Sequence, residues 1–560
     1  MKFNLPVIRF PSNRHIAADA LAGLSVAFIL LPEAVAYAAI AHLHIQAAIT
    51  AALVGLICYA CLGASQFAIV APTSSSAALL AAVVLSSHPQ DVNTAAALAA
   101  ALVILTGGGL LAFAKAGFGR LSAFVSRPVL HGFSFALAIT IISKQLPLIF
   151  GVKVQAADPL HILLELSERY SEFALWSTAV GIGALLLLWL LKRWRSAPGA
   201  FVVLMLGILL SKLVDLTVYS VAIVGQVHIS APNLDFPQLA MEKWLQLAEM
   251  AFGLLVILVA ESWGSIRSLS LIHGDEVEPN RELFALGAAN LASGLLQGMP
   301  VGAGFSASSV SEAAGAHTKM AGVSASLVLL TMAIFGQTWI GLIPEPIVAA
   351  AVINALSHAL SPKPLLLLWK MNRDQYLALA AVCAVLAFGV LHGMLVAVCL
   401  SVAAAIRSFS QPIVRELGEL ERSRDYVDIS IHPIARPRSG LLILRPEEPL
   451  FFANAEGIIA EIAKRLHHSG NSKIVIISLE ESANLDSTAA ECLIEFAEHL
   501  QRQKKTLLLA RVKDPISELL MKLAAEKFAG KLFWSVHDAV LGAENLQGFI
   551  GSSAHNVDQF

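Results

Sequence analysis

Residues 67–85 read FAIVAPTSSSAALLAAVVL, and this stretch decides the fold. A short extended run and Pro72 come before four hydroxyl residues, Thr73 to Ser76, and an alanine-rich helix follows. Proline in the first turn and hydroxyls at the cap are typical of a helix start. We therefore predict a helix that begins partway through a longer apolar region.

A second stretch, GMPVGAGFSASSVSEAAG at residues 298–315, has the same arrangement. Pro300, Gly302 and Gly304 preclude a regular helix, and a helix then begins near Ser306. Non-helical backbone at membrane depth survives only where protein buries it or where it lines a cavity. Each new helix also presents free N–H donors and about half a positive charge at its N-terminus. Two such breaks together predict a binding site for a small anion.

The composition places the chain in a membrane. Of its 560 residues 57% are hydrophobic and 14% are charged, and the mean hydropathy is +0.71. The apolar residues form separate runs of roughly 17 to 25, the length that a helix needs to cross a bilayer. We count about fourteen candidate spans before residue 412. No catalytic constellation, ATP-binding motif or nucleic-acid-binding pattern stands out, so we predict a transporter, neither an enzyme nor a nucleic-acid-binding protein, without a resident cofactor or metal.

Two acidic residues lie well inside long apolar runs, Glu33 in FILLPEAVAYAAI and Glu261 in VILVAESWGSIRS. Each precedes one of the helix breaks by about forty to forty-five residues, which predicts two inverted repeats of seven spans. A carboxyl in a membrane is costly unless it faces a cavity or a partner. Because two carboxylates would repel an anion, we predict that a proton or Na⁺ bound at Glu261, with Glu33 as a second acid, couples to the substrate.

The basic residues indicate the topology. With the N-terminus in the cytoplasm, the loops after even-numbered spans hold most of them: Lys115, Arg120, Arg127, Lys192, Arg193, Arg195, Arg267, Arg281, Lys319, Lys363, Lys370 and Arg373. The opposite side holds fewer: Lys144, Lys153, Arg169, Lys212 and Lys243. We predict a multi-pass protein of the bacterial inner (plasma) membrane, without a removed signal peptide and with both termini cytoplasmic.

The composition changes after Pro412, where charged and polar residues begin. Strand-like runs such as KIVIISL then alternate with helix-like runs such as TAAECLIEFAEHLQRQ, as in a small α/β domain. The predicted order is a transmembrane transport domain at 1–411, a linker at 412–424, a cytoplasmic α/β domain at 425–545 and a tail at 546–560.

Two further motifs receive structural interpretations. Gly107 to Gly109 lie inside an apolar run, where small residues permit close helix contact. Cys58 and Cys61 form a C-x-x-C without a second pair nearby, so we predict packing and no metal site.

Several stretches in order resemble the SulP anion transporters, relatives of the animal sulfate and chloride/bicarbonate exchangers. They are AGLSVAFILLPEAVAYAAIA, SRPVLHGF, NRELFALGAANLASGLLQGMPVGAGFSASSV, and FFANAEGI with NLDSTAAECL in a C-terminal domain similar to the STAS fold. The resemblance implies fourteen segments in two inverted repeats, core and gate subdomains that move against each other in an elevator-like way, and a homodimer. It places the substrate between the third and tenth half-helices.

Carried over to this sequence, the resemblance implies a set of substrate contacts and one acid on the eighth span, Glu261. The substrate contacts are Glu33, Tyr37, Pro72, Thr73, Ser74, Ser75, Phe305, Ser306 and Ala307. Many relatives carry glutamine in place of Glu33 and arginine in place of Ala307, so this site is more negative. The family's glycine-leucine-tyrosine motif after the first span is also missing, where this chain reads HIQAAITAAL.

In the STAS-like domain, Asp486, Ser487 and Thr488 match a loop that accepts phosphate in related anti-anti-sigma proteins. Ser487 is thus a possible regulatory phosphosite, and the alternative is a helix cap formed by Asp486 or Ser487. The domain could also bind a cytoplasmic regulatory protein.

The function that we predict is secondary active transport of a small anion, sulfate or another inorganic anion such as bicarbonate. A transporter of dicarboxylates or other organic anions, a channel, and a membrane-anchored STAS regulator that no longer transports stay open. A nucleobase–cation symporter shares the paired half-helices, but the STAS-like tail argues against it.

Overall fold

The computed structural model describes residues 13–86, 92–119, 126–156, 158–193, 199–225, 234, 236–357, 359–421, 423–469 and 472–555. Arg120 and Arg195, used above for the topology, lie outside these ranges. The chain divides into two compact units, Met1–Val402 and Ala403–Phe560.

In its described ranges, the first unit is helical apart from loops and two strands of two residues each. In chain order its elements are α1 (Asn13–Ala41), α2 (Ile45–Leu62), β1 (Val70–Ala71), α3 (Ser74–Ser86), α4 (Val92–Ala116), α5 (Arg127–Phe150), α6 (Pro159–Glu168), α7 (Leu175–Leu191), α8 (Gly199–Leu213), α9 (Met241–His273), α10 (Pro279–Leu295), β2 (Gly302–Ala303), α11 (Phe305–Ala313), α12 (Met320–Phe335), α13 (Gln337–Ile340), α14 (Glu345–Leu356), α15 (Lys363–Met371) and α16 (Gln375–Phe409).

Within the described residues, six helices are long and apolar enough to cross a membrane, and six further apolar stretches are shorter. Gly389 has φ 79° and ψ 174° and divides α16 into two helices. Counting those two separately, α1–α5, α7–α12, α14 and α16 supply fourteen segments.

The helices of this unit pack in two groups. In the core group, α1 contacts α2, α3, α11 and α12, while α4 packs along α10 and α9. In the flanking group, α14 packs on α5, α7 and α8. The contacts of α1 with α8 and α14 join the two groups. The flanking helices α7 and α8 expose many large apolar side chains, as lipid-facing helices do.

Small residues allow α4 and α10 to approach closely. A Cβ at Gly107 would lie 2.4 Å from the backbone nitrogen of Leu291 in α10. A Cβ at Gly287 would lie 2.9 Å from the backbone nitrogen of Leu111 in α4. The predicted packing role therefore holds for Gly107, and also for Gly109, where a Cβ would lie 2.8 Å from Leu255 Cδ1 of α9. It does not hold for Gly108, where a Cβ would meet nothing within 4 Å.

The second unit is a five-stranded sheet with helices on both faces. Its elements are β3 (Val414–Glu419), β4 (Tyr426–Asp428), β5 (Leu441–Pro446), α17 (Ala455–His468), β6 (Ile474–Ser478), α18 (Ser487–Arg502), β7 (Thr506–Ala510), α19 (Asp514–Phe528) and α20 (Val536–His555). The strand order is β4-β3-β5-β6-β7, with β5, β6 and β7 parallel. The parallel strands are almost wholly apolar because helices cover both faces of the sheet.

The linker predicted at 412–424 is wrong for part of its length, because Val414–Glu419 is strand β3. It pairs antiparallel with both β4 and β5. Val414 and Leu417 are each 2% exposed and point into the cores on opposite faces of the sheet, while Arg415 is exposed. Charged residues on the exposed positions of this short strand hide its apolar pattern in the sequence.

Candidate functional site

The first break in the sequence produces a strand and then a helix start, as predicted. Val70 and Ala71 form β1, and α3 begins at Ser74. Thr73 Oγ1 accepts from the N–H of Ser76 at 3.2 Å, and Ser76 Oγ accepts from the N–H of Thr73 at 3.1 Å. This reciprocal pair is a capping box that uses serine at its third helical position. The amides of Ser74 and Ser75 stay at the open N-terminus, where no intrahelical acceptor reaches them.

The second break has the same organisation. Gly302 and Ala303 form β2, and α11 begins at Phe305 after an extended Gly304. No side chain caps this helix start, so the amides of Phe305, Ser306 and Ala307 stand at its N-terminus without intrahelical acceptors.

The two strands pair with each other antiparallel, Val70 with Ala303 and Ala71 with Gly302. Because the strands run in opposite directions, the chain leaves the ladder at opposite ends, and α3 and α11 begin there. Ser308 Oγ of α11 accepts from the N–H of Ile69 at 3.0 Å, just before β1. Ser76 Oγ of α3 donates to the carbonyl of Pro300 at 3.3 Å, just before β2. Each half-helix thus contributes a serine hydroxyl that bonds the backbone just before the strand of the other half.

Glu261 of α9 lies at the start of α3. Its Oε2 accepts from Thr73 Oγ1 at 3.1 Å and from the hydroxyl of Ser75. Thr73 and Ser75 are buried, so this carboxyl is bound by the cap of the half-helix.

Glu33 of α1 lies at the start of the other half-helix. Its Oε1 accepts from Ser306 Oγ of α11 at 3.0 Å. Each acid therefore contacts the half-helix that belongs to the other half of the chain. Tyr37, one turn after Glu33 on α1, is 6% exposed and lies within electrostatic range of both carboxyls.

The other predicted substrate contacts fall into an exposed pair and a buried pair. Phe305 is 59% exposed and Ser306 is exposed, so both face space that the protein does not fill. Pro72 is buried, and the side chain of Ala307 is only 3% exposed. Ala307 can therefore offer a ligand little more than its backbone amide. The structure thus brings the predicted residues of both breaks and both acids to one place.

Sequence reasoning missed the side chains that hold β2 in position. Asn290 of α10 is fully buried, donates to the carbonyl of Val301 at 2.8 Å and accepts from its N–H at 3.0 Å. Ser262 Oγ of α9 accepts from the N–H of Ala303 at 2.9 Å. An amide inside the apolar run FALGAANLASGLL is the signal that could have indicated Asn290, because a buried amide needs partners.

Cys61 differs from its predicted packing role. Cys58 is partly buried against the core, whereas Cys61 is exposed on the outer face of α2. Both thiols are free.

In the second unit, Asp486 is the N-cap of α18. Its Oδ1 accepts from the N–H of Ala489 at 2.9 Å, and its Oδ2 accepts from the N–H of Phe452 at 2.6 Å. Ser487 is the first residue of the helix and is exposed. The cap role thus belongs to Asp486, and phosphorylation of Ser487 stays a prediction.

Comparisons with known proteins agree with this architecture. The sequence pattern of the sulfate permease family matches residues 16–382, and that of the STAS domain matches residues 432–539. A probable sulfate transporter of Mycobacterium tuberculosis is 30% identical over 521 residues, which cover 91% of either chain. Sulfate transporter 3.1 of Arabidopsis thaliana is 24% identical and covers 96% of this chain and 87% of its own length.

Two solved structures have the same fold. Murine Solute Carrier 26 family member A9, an anion transporter in the inward-facing state, superposes with a TM-score of 0.87 at 19% identity, over 96% of this chain and 93% of that one. The transmembrane domain of the cyanobacterium bicarbonate transporter BicA gives 0.59 at 20% identity, over 71% of this chain and 98% of that one.

Two half-helices joined by a strand ladder, inside an apolar helical unit that is followed by a STAS domain, define a multi-pass membrane transporter and not an enzyme. The chain belongs to the sulfate permease family. The resemblance stated from the sequence and the predicted fold class are confirmed.

Proposed function

We propose that this protein is a secondary active transporter of a small anion, with sulfate as the first candidate. The observation that carries the proposal is the pair of half-helix N-termini at the two ends of the β1–β2 ladder. Free amides and hydroxyls there suit an oxyanion, which accepts hydrogen bonds but donates few. Relatives in two organisms are named as sulfate transporters or probable sulfate transporters, which supports the same choice. Bicarbonate and dicarboxylates such as fumarate are the alternatives.

Cation coupling follows from the charge of the site. Two carboxyls face the half-helices, Glu33 toward α11 and Glu261 toward α3. An anion would meet their repulsion unless a proton or Na⁺ entered with it. Ser265 lies one turn after Glu261 on α9, and its buried hydroxyl has no hydrogen-bond partner among the residues that the structure describes. It supports a cation site beside Glu261.

The two helix groups suggest how the site is exposed to each side. The core group carries both half-helices and both acids, while the flanking group contacts it through α1 and through α3, which α5 touches. We propose that the core group slides past the flanking group, as in an elevator-like mechanism. We further propose a homodimer in the bacterial inner membrane, with both termini cytoplasmic and the STAS domain available to a regulatory protein.

The experiment is uptake of labelled sulfate, bicarbonate, chloride and fumarate into proteoliposomes, with and without proton or Na⁺ gradients. Glu261→Gln is the test variant, and Glu345→Gln, at the start of α14, is its matched control. We expect saturable, gradient-driven uptake of one anion, preserved in Glu345→Gln and no longer driven by the gradient in Glu261→Gln. Electrical conductance without saturation would indicate a channel, and no uptake by well-folded protein would favour the regulator that no longer transports.

A further inference from the structure

An apolar cavity of about 270 Å³ lies between the core group and the flanking group. Leu31 and Val35 of α1 form one wall, Met205 and Ile208 of α8 form another, and Phe335 and Trp339 lie near the α12–α13 turn. Its other lining residues are apolar as well.

This cavity is unlike the interior of a packed protein, where voids larger than a water molecule are few. Its apolar wall offers water no hydrogen-bond partners. The wall is open at one side, since Phe335 is 77% exposed and Met205 is 38% exposed. That side belongs to the lipid-facing surface of α8 and α12, so the hydrocarbon of the bilayer reaches the cavity.

A cation lies at one end of the cavity. Lys212 Nζ is 4.7 Å from the centre of the Trp339 ring, which is itself part of the wall. Lys212 follows Ile208 by one helical turn, so both lie on the same face of α8. Among the described residues, Lys212 forms no ion pair with a carboxylate within 4.0 Å. A lysine and a tryptophan at a helix end are typical of the level of the lipid headgroups.

We propose that this cavity is a binding site for an anionic phospholipid, with one acyl chain between α1, α8 and the α12–α13 turn and its phosphate on Lys212. The apolar wall suits the lipid acyl chain, and the Lys212 ammonium is opposite in charge to the lipid phosphate. Leu31 and Val35 lie two residues before Glu33 and Tyr37, about 200° around α1, so the lipid contacts the helix on the face opposite the anion site.

The test is native mass spectrometry of the full-length protein in detergent with added phosphatidylglycerol or phosphatidylcholine, a readout that does not depend on transport. Lys212→Gln is compared with Lys243→Gln, which removes an exposed lysine from α9. We expect Lys212→Gln to weaken phosphatidylglycerol binding about fivefold, as one lysine at an anionic lipid surface does. Phosphatidylcholine binding and Lys243→Gln should show no such change. Equal weakening by both substitutions would overturn the assignment of the phosphate to Lys212.

A second pair of variants tests the acyl chain. Met205→Trp fills the cavity, whereas Leu206→Trp places the same ring in a separate apolar groove lined by α7, α8 and α14. Retained lipid should be lost in Met205→Trp and kept in Leu206→Trp, and equal retention in both would refute the site. Photo-crosslinking of a diazirine-bearing phosphatidylglycerol to the unaltered protein needs no variant. We expect adducts on α8 and α12, and adducts confined to other helices would overturn the proposal.

Discussion

Thr73 has two tasks at the start of α3. Its hydroxyl accepts from the N–H of Ser76 and donates to the carboxyl of Glu261. The same atom therefore caps the helix and orients the acid.

We expect Thr73→Val to impair transport and Thr73→Ser to retain most of it. Valine removes the cap, which costs about 1 kcal/mol, and takes one donor from Glu261. The measurement is initial uptake of the transported anion in proteoliposomes, with Thr106→Val, a buried threonine on α4, as the control. A roughly fivefold loss is expected for valine, and equal uptake by all three variants would contradict the role of the hydroxyl.

Asn290 supplies the second prediction at this scale. Replacing it by leucine of similar size leaves the N–H and carbonyl of Val301 buried without partners. Each unsatisfied group costs about 1–3 kcal/mol. We expect a clearly lower thermal transition in detergent for Asn290→Leu, and little change for Asn354→Leu, a partly exposed asparagine on α14. A transition equal to that of the unaltered protein would argue against this anchor.

The candidate site was largely accessible from its residue types. An acid in an apolar run and a helix break at membrane depth both cost free energy, and a binding site explains why the chain keeps them. The structure brings both acids and both hydroxyl clusters to one place. Asn290 left a signal in the sequence, but the anchors Ser262 and Ser308 did not, because their backbone partners lie 41 and 239 residues away in the chain.

At the scale of elements, α4 and α10 pack so closely that their backbones lie almost in contact. Gly107→Ala would place a methyl group 2.4 Å from the nitrogen of Leu291, which cannot move without its helix. Gly108→Ala enters open space.

We therefore expect Gly107→Ala to lose folded protein, since overpacking costs about 1–3 kcal/mol or more, and Gly108→Ala to keep it. Size-exclusion chromatography with a fluorescent tag and a thermal scan compare the two. Equal yields and equal thermal transitions of the two variants would mean that α4 and α10 can move apart without loss of the fold.

In the second unit, Lys527 of α19 donates to the Glu498 carboxylate of α18. This bond holds the pKa of Glu498 below its ordinary value of 4.5. A lowered pKa stabilises the folded domain above pH 4.5, and the stabilisation is lost as the pH falls through the folded value.

Lys527→Gln should therefore speed hydrogen exchange in α18 and α19 of the full-length protein near neutral pH. The difference from the unaltered protein should shrink once the pH is well below 4.5, because Glu498 is then protonated in both. Lys522→Gln, an exposed lysine on the same helix, should have no effect at any pH. A difference that persists in acid would point to packing in place of charge.

Some elements could not be predicted from the pattern of apolar and polar residues. Strand β3 has only two deeply buried apolar side chains among charged neighbours, and its register depends on both β4 and β5. The long helices, in contrast, follow from their apolar length alone.

At the scale of the whole molecule, aromatic residues lie near both ends of the flanking helices. Trp176 stacks edge-on with Tyr219 at 5.3 Å at the same end of the helices as the Lys212–Trp339 contact. Arg193 lies 5.1 Å from the Trp189 ring at the other end of α7. The topology prediction places this end of α7 in the cytoplasm.

The topology prediction can be tested by thiol labelling in intact cells, after the five native cysteines are replaced by alanine. Thr217→Cys, beyond the end of α8, should react with a membrane-impermeant maleimide. Lys370→Cys on α15 should react only after the cells are permeabilised. Labelling of Lys370→Cys from outside would reverse the proposed orientation.

The β1–β2 ladder joins two segments that are far apart in the chain, so it forms late in biosynthesis. Val70 meets its partner Ala303 only after about 230 further residues have been synthesised, which takes roughly 10–50 s at the usual rates of translation. During that interval the backbone N–H and C=O groups of β1 have no partner strand. A chain that stops before residue 303 therefore lacks the strand that pairs with β1.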